Sequence, residues 1–174
     1  MLSRIYILGN SSSGKSSLSK RLSAVLHLKS YDLDDIFWEK KFTEKRDKKR
    51  ALVMFKALVK KKRWIIEGVY STYAKIGVGK ADLVIWLDYP FHVVAWRLLR
   101  RQLAKRVSLR DLADFLHYVW DYRKRPPHPH YYRNESNYYK HKEVVDKHCS
   151  SKKSCDYVKI RNSKEMERLL KGFF

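Results

Sequence analysis

The feature that most constrains this chain is a glycine-bounded loop near its start. The loop joins a short apolar run at residues 4–8 to a segment whose leucines recur at helical spacing, residues 15–26. A backbone that leaves a buried strand and turns at once into a helix needs glycine where it bends most tightly. The loop reads Gly9, Asn10, Ser11, Ser12, Ser13, Gly14, Lys15, Ser16. It therefore matches the pattern G-x-x-x-x-G-K-[ST] in the strand–loop–helix context that the pattern requires, which predicts a phosphate-binding loop.

The residue types in this loop suit phosphate chemistry. Successive backbone N–H groups of such a turn point inward, and the following helix adds the positive end of its dipole. Lys15 is expected to reach the β- and γ-phosphates, and the Ser16 hydroxyl is expected to bind Mg²⁺. The alternative is a Gly/Ser-rich turn that only caps the helix.

The rest of the chain alternates between apolar runs and amphipathic segments. Short runs of the fully buried kind predict strands, and apolar residues three or four apart predict helices. Strands are expected at residues 28–32, 64–67, 83–88 and 156–160, and helices at 48–62, from Val93 to Leu103, from Ser108 to before Pro126, from Tyr138 and from Ser163. This alternation predicts a doubly wound α/β sheet, with ligands at the carboxyl ends of the strands.

Two details of the second half of the chain are specific enough to test. The helix after Pro90 is expected to bury the face that carries Val93, Trp96, Leu99 and Leu103. Ser108 and Asp111 have the spacing of a capping box, and residues 126–137 read as a loop.

Length and composition favour one compact domain over residues 1–174. The chain has 174 residues, of which 44% are hydrophobic, so it can bury a core. Two cysteines cannot form a disulfide scaffold, and no apolar run is long enough for a signal peptide or a membrane span. A cytoplasmic protein without a membrane segment is therefore expected.

The charge balance is strongly basic. Lys and Arg number 39 against 18 Asp and Glu, a formal net charge of +21, and half of residues 40–63 are basic. Such a balance favours polyanionic partners, namely nucleic acid, phosphorylated metabolites or an anionic membrane surface. Charge alone does not choose among them.

Five sequence blocks resemble one family, the adenylate-kinase-like P-loop kinases, in the branch called topology-modulation proteins. The blocks are GNSSSGKSSLSKRL, YDLDDIFW, WIIEGVY, ADLVIWLDYP and WRLLRR. The resemblance implies a five-stranded parallel sheet in the order 2-3-1-4-5 and a small helical lid. It also implies ATP with Mg²⁺ as phosphoryl donor and a nucleotide or nucleoside as acceptor. An acceptor-binding segment would occupy about residues 36–63, and the lid about residues 100–140.

The resemblance also implies roles for individual residues. Lys15, Asp34, Arg97 and Arg101 would be catalytic, Ser17 would complete the phosphate loop at its exit, and Ser16 with Glu67 would hold the metal. The remaining matches are Trp38 on the acceptor side, Asp88 and Pro90 after the fourth strand, and residues 157–160 beside the adenine. The chain departs from the family pattern at Glu67, where Asp is usual, at Val69, where Asn is common, and at residues 74–80, which lack an arginine.

Each candidate acid has a structural alternative. Asp34 would orient or deprotonate an acceptor hydroxyl, or it would join Asp32 and Asp35 in capping a helix that starts near Ile36. Glu67 would complement Ser16 at Mg²⁺, or it would pair with a nearby lysine. Asp88 would act at the site, or it would shape the turn at Pro90.

Cations and aromatic residues leave further alternatives open. The cations from Arg97 to Arg110 would close over developing charge, with Arg106 as a lid candidate, or they would form a solvated basic face. Trp38 would stack on an acceptor base or pack in the core. Tyr131, Tyr132, Tyr138 and Tyr139 would stack nucleic-acid bases or pack, and His128, His130, His141, His148, Cys149 and Cys155 would staple a lid with zinc or leave free thiols.

The sequence thus predicts a kinase that moves the γ-phosphoryl group of ATP to a small acceptor. One rival is a polynucleotide 5′-hydroxyl kinase or another NTPase that acts on nucleic acid. The other is a nucleic-acid-binding protein whose ATP site regulates binding without turnover.

Overall fold

The computed structural model describes residues 2–40, 43–104, 108–123, 137–149 and 155–173. Within these residues, five strands form a parallel sheet and two more form a separate antiparallel hairpin. The strands are β1 (Arg4–Gly9), β2 (Ser30–Asp32), β3 (Trp38–Lys40), β4 (Glu44–Lys45), β5 (Trp64–Gly68), β6 (Leu83–Leu87) and β7 (Asp156–Ile160).

Helices connect the strands and cover both faces of the sheet. Most of the predicted helices are confirmed, and the first begins and ends where the leucine spacing places it. The helices are α1 (Lys15–Leu26), α2 (Leu33–Phe37), α3 (Lys48–Val59), α4 (Ser71–Val78), α5 (Phe91–Ala104), α6 (Leu109–Asp121), α7 (Tyr138–Cys149) and α8 (Ser163–Lys171).

The parallel sheet has the order β2-β5-β1-β6-β7. Counted among the five parallel strands alone, this is the predicted order 2-3-1-4-5. The labels differ from that count because the unpredicted hairpin of β3 and β4 lies between the second and third parallel strands. The predicted doubly wound α/β fold is therefore confirmed, with a small hairpin added inside residues 36–63.

The central strands are apolar throughout because both of their faces are covered. Tyr6 and Leu8 of β1 point into one apolar cluster, with residues of α3, α4 and α7, and Ile5 and Ile7 point into the other, with residues of α1, α5 and α8. All four side chains have no exposed surface. Alternate residues of one strand therefore serve two cores, which is why these strands show no polar alternation.

The parallel register brings several strand ends to one edge of the sheet. Leu8 pairs with Gly68 and Gly9 pairs with Leu87, so β5 and β6 end level with the glycine that opens the loop. Asp32 at the end of β2 pairs with Glu67. This carboxyl edge is where the candidate functional residues gather.

Helix α5 corrects one prediction. It buries Val94, Leu98 and Gln102, whereas Trp96 and Leu103 are exposed. The buried face is thus rotated from the predicted one. Val94 and Leu98 pack into the apolar cluster that contains Ile5 and Ile7, and this orientation turns Arg97 toward the loop after β1, where its guanidinium donates a hydrogen bond to the Ser13 carbonyl.

Two other local predictions can be compared with the structure, and a third falls mostly outside the described residues. The helix expected near Ile36 begins at Leu33, with Asp32 as its N-cap, and α4 was not predicted. Ser108 does cap α6, since its hydroxyl accepts a hydrogen bond from the Asp111 amide. Most of the loop predicted at residues 126–137 lies outside the described residues. Within the described part of the chain, no helix is both long and apolar enough to cross a membrane.

Glycine at position 77 allows α4 to lie directly on the sheet. A Cβ atom there would overlap the ring of Tyr6, whereas a Cβ atom at Gly79 would be no nearer than 3.4 Å to another heavy atom, the Nδ1 of His148. Gly77→Ala should therefore lower the free energy of unfolding by about 1–3 kcal/mol, the usual cost of overpacking a core.

Gly79→Ala is the matched control, two positions along the chain, and should leave the stability nearly unchanged. Urea unfolding of both variants measures the difference. Equal stability of the two variants would contradict the close approach of α4 to β1.

Candidate active site

The loop between β1 and α1 has the backbone that its glycines predict. Gly9 has φ +150°, and a Cβ atom there would lie 2.7 Å from the Leu87 carbonyl oxygen. Gly14 has φ +100° and serves as the N-cap of α1 without a capping side chain. The first amides of the helix therefore point into the loop without a side chain bound to them, which suits an anion.

Buried polar groups line this loop. The hydroxyls of Ser12 and Ser13 are buried and have no hydrogen-bond partner among the described residues. Asn10 is buried as well, and its side-chain amide donates to the Val119 carbonyl of α6 at 2.9 Å, which ties the loop to that helix. The unsatisfied hydroxyls fit a ligand with many acceptor oxygens, such as a phosphate.

Lys15 is buried at the start of α1. Its Nζ donates to the Asn10 carbonyl at 2.8 Å. Burial lowers the pKa of Lys15, while the carboxylates of Glu67 and Asp34 act in the opposite direction. A buried ammonium with one neutral acceptor is electrostatically suited to a phosphate anion.

Ser16 and Glu67 come together as the resemblance implied. The Ser16 hydroxyl donates to Glu67 Oε1 at 2.5 Å, although the two residues are 51 positions apart. Burial raises the pKa of Glu67, and the Lys15 ammonium opposes this shift. A hydroxyl and a carboxylate are hard oxygen ligands, so the residues present fit a Mg²⁺ ion beside the phosphate loop.

Asp34 lies inside α2 and not at its cap. Asp32 caps the helix by accepting from the Asp34 amide, while the carboxylate of Asp34 accepts a hydrogen bond from the Tyr70 hydroxyl at 2.8 Å. Burial and the Asp34 charge raise the pKa of Tyr70, so this hydroxyl stays protonated and donates. The hydroxyl of Tyr70, a residue outside α2, therefore orients the Asp34 carboxylate.

Tyr70 is a site residue that the sequence analysis missed. Its ring stacks on Phe37 at 4.3 Å between centroids. The available signal was its position three residues after Glu67, just past the end of β5. The ring of Trp38 meets Phe37 edge-on, so it helps form an aromatic wall beside Asp34.

The two arginines differ in how closely they approach the loop. Arg97 donates to the Ser13 carbonyl at 2.8 Å, and its guanidinium lies 4.1 Å above the Tyr89 ring. Arg101, one turn later, is more exposed, yet its charge contributes to the lowered pKa of Lys15. Arg106 lies outside the described residues.

Asp88 takes part in an ion-pair network. Its carboxylate lies 2.6 Å from Arg123, which follows α6, and 3.0 Å from Lys159 of β7. This network does not include the phosphate loop, so Asp88 connects the segment after α6 to the last strand.

A cavity of about 430 Å³ opens at the carboxyl ends of β6 and β7. Because Leu87 pairs with Gly9, this cavity starts at the same edge as the phosphate loop. It offers aromatic rings together with cationic side chains. Its lining consists of Asp88, Pro90, Phe91, Arg123, Tyr138, Lys159 and Arg161.

The cysteines and the remaining tyrosines favour packing roles. The thiols of Cys149 and Cys155 lie 3.0 Å apart, and the described residues contain no cluster of three side chains that would hold a metal ion. Tyr138 packs on Trp86 at 5.0 Å between ring centroids, and Tyr139 packs on Tyr138. The other candidates, His128, His130, Tyr131 and Tyr132, lie outside the described residues.

A curated relative matches part of the chain. No protein family model matches the chain. The uncharacterized protein YqaC of Bacillus subtilis (strain 168) is 32% identical over 106 residues, and the match spans 60% of this chain and 60% of that protein. The chain thus matches less than two thirds of its curated relative.

Solved structures are similar over nearly the whole chain. A shikimate kinase from Acinetobacter baumannii, in complex with shikimate, shares 17% identity over 99% of this chain and 95% of its own, with a TM-score of 0.56. The YorR protein of Bacillus subtilis, in complex with phosphorylated GDP, shares 13% over 97% and 94%, with a TM-score of 0.53. A gluconokinase from Sinorhizobium meliloti 1021 shares 11% over 98% and 91%, with a TM-score of 0.52. At these identities the likeness shows the fold, which is that of the P-loop kinases.

Glu67→Gln should make the stability of the ligand-free protein less sensitive to pH. Because its pKa is raised, folded protein holds the Glu67 proton to a higher pH than the unfolded chain does. The free energy of unfolding should therefore fall as pH rises from the ordinary value of 4.5 through the raised one, by up to about 1.4 kcal/mol per pH unit. Glutamine cannot titrate, so this contribution should vanish.

Urea unfolding across the acidic to neutral range measures the effect. Glu143→Gln, at an exposed position of α7, is the control and should keep the wild-type pH dependence. A stability difference between wild type and Glu67→Gln that stays constant with pH would contradict a buried, proton-holding Glu67.

Proposed function

We propose that this protein is a P-loop kinase that transfers the γ-phosphoryl group of ATP to a small acceptor, a nucleotide or nucleoside. The observation that carries the proposal is the convergence of Lys15, the Ser16–Glu67 pair and Asp34 at one edge of the sheet. These residues supply a phosphate-binding cation, a metal-binding oxygen pair and an oriented base, the three groups that phosphoryl transfer needs.

Each of these side chains has a role in the proposed phosphoryl transfer. Asp34 accepts the proton of the acceptor hydroxyl as that oxygen forms a bond to the γ-phosphorus. The bond from the γ-phosphorus to the bridging oxygen breaks, and ADP leaves with the electron pair. Lys15, Arg97 and Arg101 stabilise the charge on the transferred group.

Ser16 and Glu67 are the proposed Mg²⁺ residues. The ion, when bound, neutralises charge on the phosphate oxygens during transfer. Glu67 is longer than the aspartate usual in the family, yet it reaches Ser16 directly. The longer side chain therefore does not argue against the metal assignment.

The cavity at the ends of β6 and β7 is the proposed place for the adenine base. Phe91 and Tyr138 offer aromatic surface there, and Arg123 offers a planar cation that can lie on a base. Its volume of about 430 Å³ suits a ligand of nucleoside size. The family resemblance likewise implies that the last strand lies beside the adenine.

The aromatic wall beside Asp34 supports a nucleotide or nucleoside as acceptor. Phe37, Trp38 and Tyr70 are half-buried and pack on one another there, and such an aromatic cluster favours a planar base as its neighbour. The YorR structure contains a phosphorylated nucleotide, whereas the shikimate kinase contains shikimate. A hydroxy acid is therefore the competing acceptor class.

The finer assignments belong to the same proposal. Residues 36–63 would form the acceptor-binding segment and residues 100–140 the lid of a single domain. Membership of the topology-modulation branch stays a prediction. So does nucleic acid as a partner, for which the support is the basic surface of α3 and the residues after it, Lys60, Lys61, Lys62 and Arg63.

A labelled-ATP screen at physiological salt tests the proposal. Mononucleotides and nucleosides should be phosphorylated, while hydroxy acids and oligonucleotides with a 5′-hydroxyl should not. Lys15→Ala should reduce transfer by about 100-fold or more, because it removes the cation that faces the phosphates. Lys20→Ala, at an exposed position of the same helix, should retain activity.

Three outcomes would contradict the proposal. Wild-type turnover in Lys15→Ala would show that the reaction occurs elsewhere. Phosphorylation of hydroxy acids alone would make the acceptor class wrong. Turnover that only an oligonucleotide stimulates would favour the nucleic-acid alternative, since a basic protein binds nucleic acid at low salt in any case.

The two acids should separate in their kinetic effects. Asp34→Asn should lower acceptor-dependent kcat by about 100-fold or more while leaving the KM for ATP unchanged, because it removes the base and not a phosphate contact. Glu67→Gln should instead raise the Mg²⁺ concentration needed for half-maximal rate. Steady-state kinetics with varied acceptor, ATP and Mg²⁺ measures both, and identical effects of the two variants on ATP alone would refute this division.

A further inference from the structure

A buried series of hydrogen bonds runs from Trp86 through Tyr122 and His141 to the Val69 carbonyl. The indole N–H of Trp86 donates to the Tyr122 hydroxyl at 3.2 Å, and that hydroxyl lies 2.8 Å from His141 Nδ1. His141 Nε2 lies 2.7 Å from the Val69 carbonyl oxygen. His141 has no exposed surface.

The chemistry of the two ends fixes the direction of this chain. An indole nitrogen can only donate, and a carbonyl oxygen can only accept. Nε2 of His141 must therefore carry the proton that it donates to Val69, and its Nδ1 accepts from Tyr122 when the ring is neutral. Burial lowers the pKa of His141 to about 4, which keeps the ring neutral at physiological pH.

This series of hydrogen bonds joins the segment after β5 to the segment after α6. Val69 follows β5 and immediately precedes Tyr70, whose hydroxyl holds Asp34. Tyr122 follows α6, the helix whose Val119 carbonyl holds Asn10 of the phosphate loop. His141 is the member of this series of hydrogen bonds that reaches the segment after β5, through its contact with the Val69 carbonyl.

A buried polar chain of this kind fixes geometry more strictly than apolar packing. Each hydrogen bond has a preferred distance and direction, and losing one leaves a buried group unsatisfied. An apolar side chain at position 141 would fill the same space but would remove the hydrogen bond to the Val69 carbonyl. Without that hydrogen bond, α7 would no longer orient the peptide group between Val69 and Tyr70.

We propose that His141 is a positioning residue that fixes the Val69–Tyr70 turn and, through the Tyr70 hydroxyl, the orientation of Asp34. The inference rests on the proposed function only for the catalytic role of Asp34. His141 contacts neither substrate, so its effect is expected in the use of the acceptor and not in ATP binding.

Substitutions at position 141 separate positioning from packing. His141→Leu should lower acceptor-dependent kcat by about 10- to 100-fold with an unchanged KM for ATP, because the base is misplaced relative to the hydroxyl. His141→Gln should restore most of the activity, because its amide carries one donor for Val69 and one acceptor for Tyr122. His148→Leu, on the same helix, is the control and should leave kcat unchanged.

A double-mutant cycle tests the route of the effect. In the Tyr70→Phe background the hydroxyl that reaches Asp34 is gone, so His141→Leu should lower kcat little further. Equal effects of His141→Leu in both backgrounds, or no restoration by glutamine, would overturn the proposal. If His141→Leu does not fold, Tyr122→Phe breaks the chain one step earlier, and the same cycle with Tyr70→Phe decides.

A structural measurement keeps this proposal distinct from the proposed function. The ring resonances of Tyr70, assigned by their loss in Tyr70→Phe, should shift in His141→Leu, return in His141→Gln and stay unchanged in His148→Leu. Unchanged Tyr70 resonances in His141→Leu would overturn the positioning role. A wild-type protein that phosphorylates nothing would instead refute the proposed function, and the resonances would still decide the role of His141.

Discussion

The pairing of β1 with β5 on one side and with β6 on the other sets the positions of the groups at the candidate site. Leu8 lies beside Gly68 and Gly9 beside Leu87, so the phosphate loop starts level with the ends of both neighbours. The backbone of Glu67 is thus held in the sheet, within reach of Ser16. The apolar clusters on the two faces maintain this register, because a shift by one residue would turn each strand's side chains to the wrong face.

Charge is distributed unevenly around this edge. Lys15 and Arg97 lie at the loop, and the carboxylates of Glu67 and Asp34 face them from β5 and α2. Burial works against the charged form of both Lys15 and Glu67, and the charge of each residue opposes this effect in the other. On the proposed function, ATP and its metal complete this arrangement by adding the anion and the cation that the two residues lack.

The sequence predicted what local patterns determine. The glycine-bounded loop, the apolar strands and the alternation of strands with helices were sufficient for the fold, and the resemblance paired Ser16 with Glu67. The sequence did not reveal the contacts that bring distant side chains together. Tyr70 forms a hydrogen bond with Asp34 across 36 positions, and His141 forms one with Val69 across 72. The sequence spacing of these residues does not predict either hydrogen bond. The prediction of the buried face of α5 was also wrong, and the contact that this helix makes between Arg97 and Ser13 likewise spans 84 positions.

The close contact of Gly77 with Tyr6 matters for anyone who wishes to redesign this protein. Helix α4 begins at Ser71, directly after Tyr70, and its other end rests on β1 through a residue that has no side chain. On the proposed function, the acceptor side of the site is thus anchored through a glycine packed against β1. On the proposed function, a library aimed at a new acceptor should therefore hold position 77 as glycine and vary Trp38, whose ring meets Phe37 edge-on.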